Sequence, residues 1–165
     1  MSTIEHPLFG TMNLAAAGSW DATIPFAGHE IDVDVTLDEP NLTPAELTAR
    51  LALLDKLSLR DRVARVALSE EAKAGDETAS GLYFTHHREE LPPEAWRQVF
   101  GTASPQTIDV DTFLAQLELV RVGLYPGDED RCLLLDYMLR GEVTNYLLSV
   151  SFDADGQLSG IDMES

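Results

Sequence analysis

Residues 29–39, HEIDVDVTLDE, alternate with period two: Ile31, Val33, Val35 and Leu37 fall on one side, and Glu30, Asp32, Asp34 and Thr36 on the other. An extended chain with this pattern is a half-buried strand, with its oily side inward and its carboxylates in water. Glu30, Asp32 and Asp34 recur about 7 Å apart along such a strand, too far to hold one ion without ligands from elsewhere. The row therefore reads as a solvated face that also guards the strand against edge pairing.

Toward the N-terminus, GTMNL and SWDATIPF read as further strands, with Ala27-Gly28 as a turn, which places strands at about 10–38. Toward the C-terminus the signal changes at LTPAEL. Thr43 can cap, Pro44 suits the first helical position, Glu46 closes a capping box, and Leu42 can staple to Leu47. Leu47, Leu51, Leu54 and Leu57 recur at helical spacing, and Leu59, Val63, Val66 and Ala67 extend an apolar stripe until Gly75; whether Ser58 caps a second helix stays open. TASGLYFTHHREE (78–90) reads as a helix with Leu82, Tyr83 and His86 on one face, although LYFT alone would also pass as a strand. Pro92 and Pro93 end it, PEAWRQVF restarts a short helix with Trp96, Val99 and Phe100 on one face, and DVDTFLAQL forms another. Helices thus fill about 43–116.

The final third, about 117–163, contains LELVRVGLY, RCLLLDYML, NYLLSVSF and QLSGIDM, separated by the turn-rich PGDED, RGEVT and DADG. This is the pattern of a four-strand antiparallel meander. Strands, then helices, then strands predict one α+β domain over residues 1–165, with a mostly antiparallel sheet covered on one face by helices.

The 165 residues suit one core, and 29 Asp plus Glu against 11 Lys plus Arg give a formal charge of −18. Such a surface repels phosphate backbones and attracts basic partners, which argues against nucleic acid. The lone Cys132 lies in an apolar run and reads as a small core residue. MSTIEHPLFG lacks the basic start and apolar core of a secretory signal, and no apolar run reaches membrane-spanning length, so the expectation is a cytoplasmic protein without membrane association.

LYP (124–126), LLLDYML (133–139) and NYLLSVSFDADGQLSGIDMES (145–165) resemble an uncharacterised bacterial family, domain of unknown function two thousand and four. LYFTHHREEL (82–91) is similar to that family's middle segment, so the resemblance spans roughly the latter half of the chain. It implies a bacterial, cytosolic origin. It brings no activity, cofactor or catalytic residue.

Several constellations are candidates for chemistry. His86 and His87 are adjacent, and neighbours on a helix diverge by about 100°, so they cannot share a zinc; His86 is expected beside Tyr83, and His87 in solvent near Glu90. DADG (153–156) and GDED (127–130) lack calcium-loop spacing and read as turns held by Asx bonds. Asp136 interrupts an apolar strand, on the face of Cys132, Leu134 and Met138, with Val120 and Leu148 as expected neighbours. A carboxylate so placed needs a partner, backbone donors or a raised pKa. Arg121, Tyr125 and Tyr137 are expected together with Leu119 on the opposite face, where arginine and tyrosine suit an interface. Walker, GxGxxG, GxSxG and HExxH motifs do not occur, and no metal or cofactor is implied. The leading expectation is a non-catalytic protein-interaction module that binds a basic protein, with an immunity-type role fitting the charge and size. The alternative is a hydrolase or metal-dependent enzyme centred on Asp136 or on His86 and His87.

Overall fold

The alternation over residues 29–39 becomes a strand whose inward side chains Ile31, Val33, Val35 and Leu37 are each at most 1% exposed, while Glu30 and Asp32 face solvent. The computed structural model describes residues 2–165. Strands β1 (Thr3–His6), β2 (Gly10–Asn13), β3 (Gly18–Phe26) and β4 (His29–Leu37) come first. Helices α1 (Pro44–Leu51), α2 (Leu57–Ala74), α3 (Ala79–Glu90), α4 (Pro93–Phe100) and α5 (Val110–Leu114) follow, then β5 (Leu117–Leu124), β6 (Leu133–Leu139), β7 (Leu147–Phe152) and β8 (Leu158–Glu164).

The fold is α+β. Strands β3 to β8 form one sheet in sequential order, antiparallel except where β4 lies parallel to β5. That parallel seam joins the N-terminal hairpin to the meander, and the helices span the crossover between them. The β3–β4 turn is a two-residue loop, Ala27-Gly28, with φ of 50° and 86°, as a tight hairpin twisting with its strands requires. The N-terminal strands do not all enter the main sheet. β1 pairs with β2 as a separate two-stranded sheet, and Met12 and Leu14 plug it into the core.

Helix α1 begins as expected: the Thr43 hydroxyl accepts from the Glu46 backbone at 3.1 Å, and the Glu46 carboxylate accepts from the Thr43 backbone at 2.8 Å. The stripe expected on α2 is corrected. A 3-10 turn over Ala52–Lys56 separates α1 from α2 and resets the helical phase, because its residues turn by about 120° rather than 100°. Leu57, Ala64, Leu68 and Ala72 are the buried residues, whereas Leu59, Val63 and Val66 are 40%, 38% and 58% exposed. Ser58 is not the cap; Lys56 occupies that position without a side-chain bond.

The helices cover one face of the sheet. Leu117, Leu119, Val122 and Leu124 of β5, Leu133, Leu135, Tyr137 and Leu139 of β6, and Leu148, Val150 and Phe152 of β7 meet them in one apolar cluster. Each fully buried aliphatic side chain there contributes about 1.5–3 kcal/mol of transfer free energy. The β7–β8 turn is held by the Asp153 carboxylate, which accepts from the backbone of Asp155 and Gln157. No helix among the described residues is long and apolar enough to cross a membrane.

Candidate functional site: the open face of the sheet

The apolar positions of β5 read Leu117, Leu119, Val122, Leu124, so the period-two rhythm skips a residue. The skip is a β-bulge. Leu119 pairs with Tyr137 and Arg121 pairs with Asp136, leaving Val120 as the extra residue. His29 donates from Nε2 to the Leu119 carbonyl at 2.8 Å, occupying an acceptor next to the irregularity.

This bulge corrects the expected faces. A strand without it would put Arg121 with Leu119 and Tyr137, and would set Asp136 beside Val120; on its other side the unbulged β6–β7 register pairs Asp136 with Ser149 and not with the expected Leu148. Instead Asp136 stands between Arg121 and Ser149, and Arg121 shares the outer face with Asp136. Tyr137 is on the helical face, fully buried, and its hydroxyl donates to Asp61 of α2 at 2.7 Å. Burial, with the Asp61 carboxylate adding to it, holds the Tyr137 phenol well above its ordinary pKa. Arg65 lies over the same ring at 5.1 Å and bonds Asp61 and the Leu117 carbonyl, so Tyr137 is a packing residue.

On the outer face Arg121 is a clamp. Its Nε and Nη2 donate to the two oxygens of Asp34 at 2.7 and 2.8 Å, its Nη1 donates to Asp136 Oδ2 at 3.0 Å, and Nη2 also reaches the Tyr125 hydroxyl at 2.9 Å. The guanidinium crosses above Gly123, where a Cβ would stand 2.8 Å from Nη2, so only glycine leaves room for the crossing. Burial alone would lower the Arg121 pKa, but bonds to Asp34, Tyr125 and Asp136 outweigh it and hold the group above its ordinary value. Arg121, Tyr125 and Asp136 thus form one constellation together with Asp34.

The rest of the face is acidic. Asp21 of β3 lies opposite Asp34, Thr23 opposite Asp32 and Pro25 opposite Glu30. On β8, Asp162 pairs with Ser149 and Glu164 with Leu147. Arg131, from the β5–β6 loop, approaches Asp162 at 3.5 Å with both side chains about half exposed. Two polar atoms at the centre are shielded and lack any hydrogen-bond partner, Asp136 Oδ1 and Ser149 Oγ.

The histidines lie apart from this face, and their expected placement is reversed. His87 is 1% exposed, with its ring 4.1 Å from that of Tyr83, while His86 is half-buried against Tyr146. Tyr83 and His87 are four residues apart and share the inner side of α3, which the Leu82–Tyr83–His86 pattern had missed. Nδ1 of His87 lies 2.7 Å from the Tyr83 carbonyl, so it carries the proton and donates, and Nε2 at 2.8 Å accepts from the Thr144 hydroxyl. A hydroxyl on an imidazole resembles an activated nucleophile. Burial, however, pushes the His87 pKa down to about 4, with the Tyr83 carbonyl opposing and His86 adding to the fall, so the ring is a weak base at neutral pH.

His87 is therefore expected to make stability pH-dependent. The ring is neutral in the native state but takes a proton below about pH 6.5 when unfolded. Its contribution is full above that pH and is lost as pH falls toward about 4. Between pH 7 and 5 the loss is about 2 kcal/mol. Urea unfolding of the wild type and His87→Gln across this range checks it: the variant should show the flatter profile, and parallel profiles would exclude the assignment.

Burial also pushes the Cys132 thiol up to about 11, so it is a poor nucleophile at neutral pH. Among the described residues no three of His, Cys, Asp and Glu converge as a metal site. Sequence reasoning missed Asp34 as a partner of Arg121, and Ser149, Asp61 and Thr144 altogether. The broken alternation of LELVRVGL carried the signal for the first. Compared with family models, curated proteins and solved structures, the chain has no match.

Proposed function

We propose that this chain is a non-catalytic interaction module whose open, acidic sheet face engages a basic protein. One observation carries the reading: Asp21, Glu30, Asp32, Asp34, Asp136, Asp162 and Glu164 stand on the face away from the helices. A sheet supplies a rigid, extended platform, and a field of one sign speeds encounter with an opposite charge and disfavours like-charged partners. The formal charge of −18 extends that field over the molecule. The resemblance to an uncharacterised bacterial family adds a bacterial, cytoplasmic setting to this reading, and neutralisation of a cationic toxin is one role of this kind.

The alternative, an enzyme centred on Asp136 or on His86 and His87, has less support. One Asp136 oxygen is engaged by Arg121, and His87 is a weak base enclosed by Tyr83 and Thr144.

The test uses two variants of equal net charge. One neutralises Asp21, Glu30, Asp32 and Asp162 on the open face, as amides. The other neutralises Glu70, Glu89 and Glu94, exposed on helices, and Glu77, exposed in the turn between α2 and α3. A peptide of ten lysines is titrated at about 50 and 200 mM salt, where screening lengths differ about twofold. The open-face variant is expected to bind at least about tenfold more weakly, equivalent to about 1.4 kcal/mol, and the helical variant close to wild type. Equal weakening of both would show that overall charge, and not this face, governs binding.

A further inference from the structure

A cleft of about 310 Å³ opens on the acidic face between the β5–β6 loop and the end of β8, lined by Arg121, Tyr125, Asp128, Arg131, Asp136 and Glu164. This is near the lower limit for small-ligand sites and suits one side chain. Asp136, in its lining, pairs across the strands with Ser149, which lies behind the lining, and the two residues are only 6% and 1% exposed. Asp136 Oδ1 and Ser149 Oγ both lack a hydrogen-bond partner. A buried carboxylate oxygen without a donor is uncommon and costly.

The charges around the cleft decide the sign of an occupant. Arg121 is matched by Asp34 and Asp136, and Arg131 by Asp162. Asp128 and Glu164 have no ion-pair partner among the described residues, so the lining retains negative charge. Arg121 already donates to two carboxylates and a phenol, which leaves little for an anion to gain. Arg131 is 46% exposed and held at only 3.5 Å, so it can swing aside as an occupant approaches the shielded oxygens.

Resting on the acidic-face reading above, we infer that this cleft is a socket for one guanidinium group, the side chain of an arginine on the basic partner. The planar fork carries five donors, enough to meet a rim carboxylate and Asp136 and, once Arg131 has swung aside, to approach the shielded Asp136 Oδ1 and Ser149 Oγ behind it. Tyr125 offers an aromatic ring at the wall, which favours guanidinium over ammonium. Asp136 Oδ2 remains bound to Arg121, so the socket forms without dismantling the clamp.

The probe is acetyl-Gly-Arg-Gly-amide, titrated into the full-length, nitrogen-15-labelled chain at low salt, with the lysine tripeptide and the ten-lysine peptide in parallel. Saturable shifts centred on the Asp136 and Ser149 amides are expected, with a Kd on the order of a millimolar for so small a ligand. Ser149→Ala, a small change that keeps the fold, should weaken binding about fivefold, and Asp136→Asn at least about tenfold. Binding of the lysine tripeptide as tight as that of the arginine one overturns the guanidinium assignment. If the ten-lysine peptide binds the face while Gly-Arg-Gly moves neither Asp136 nor Ser149, the socket is wrong and the acidic-face reading stands. If neither peptide binds, both fall.

Discussion

Arg121→Met is expected to lower the unfolding free energy by about 3 kcal/mol. Removing one partner of a buried ion pair costs about 3–5 kcal/mol, because the remaining charge stays desolvated and unmatched. Here two carboxylates lose their partner: Asp136, whose side chain is 8% exposed, and Asp34, at 22%. The Arg121 side chain is 33% exposed, so solvent screening places the expectation near the lower end of that range. Asp34, its charge no longer offset from the β5 side, would also face Asp21 directly across the β3–β4 pair, a like-charge pairing that weakens a sheet. Arg121→Lys keeps the charge but loses the fork to Asp34, and is expected to recover about half of the loss. Urea unfolding at neutral pH measures both, and Arg121→Met within about 0.5 kcal/mol of wild type would show that the clamp contributes little to stability.

Phe113→Ala is expected to cost about 4 kcal/mol, as is usual for truncating a buried phenylalanine. Phe113 is fully buried, and its ring centroid lies 5.0 Å from Phe84, 5.6 Å from Phe100, 6.1 Å from both Tyr83 and His87, and 6.4 Å from Trp96. One ring therefore ties α3, α4 and α5 together. The five-residue α5 is far too short to persist on its own hydrogen bonds, so its order depends on this packing and on the Asp109 cap. Near-ultraviolet circular dichroism should lose intensity with the change, because Trp96 sits in the same cluster. Phe100→Ala, at a half-buried ring, should cost about half as much. Equal losses for the two variants would deny Phe113 its central place.

The architecture was legible where the sequence pattern repeated without interruption. The alternation of 29–39, the Thr43–Glu46 capping box and the spacing of the last strands follow from local rules, and the elements lie where those rules place them. The site was less legible because it depends on breaks in pattern. One bulged residue, Val120, moves Arg121 away from Tyr137 and onto Asp136, and a period-two count carried across it inverts every later side chain. The 3-10 turn at Ala52–Lys56 does the same to α2 in rotation. His87 was misplaced for another reason: histidine suits water or core equally, and the choice was made by the Tyr83 carbonyl and by Thr144, fifty-seven positions away in the chain.

The parallel seam between β4 and β5 has a consequence for assembly. The meander can zip up through short local turns, but β4 must wait for a strand that is synthesised only after every helix. Until then its inner edge exposes unpaired peptide groups flanked by Ile31, Val33 and Val35. Distant pairing of this kind forms slowly and leaves a sticky edge in partly made chains. The alternating carboxylates Glu30, Asp32 and Asp34 then act before any partner arrives, as gatekeepers that keep nascent copies from stacking on one another.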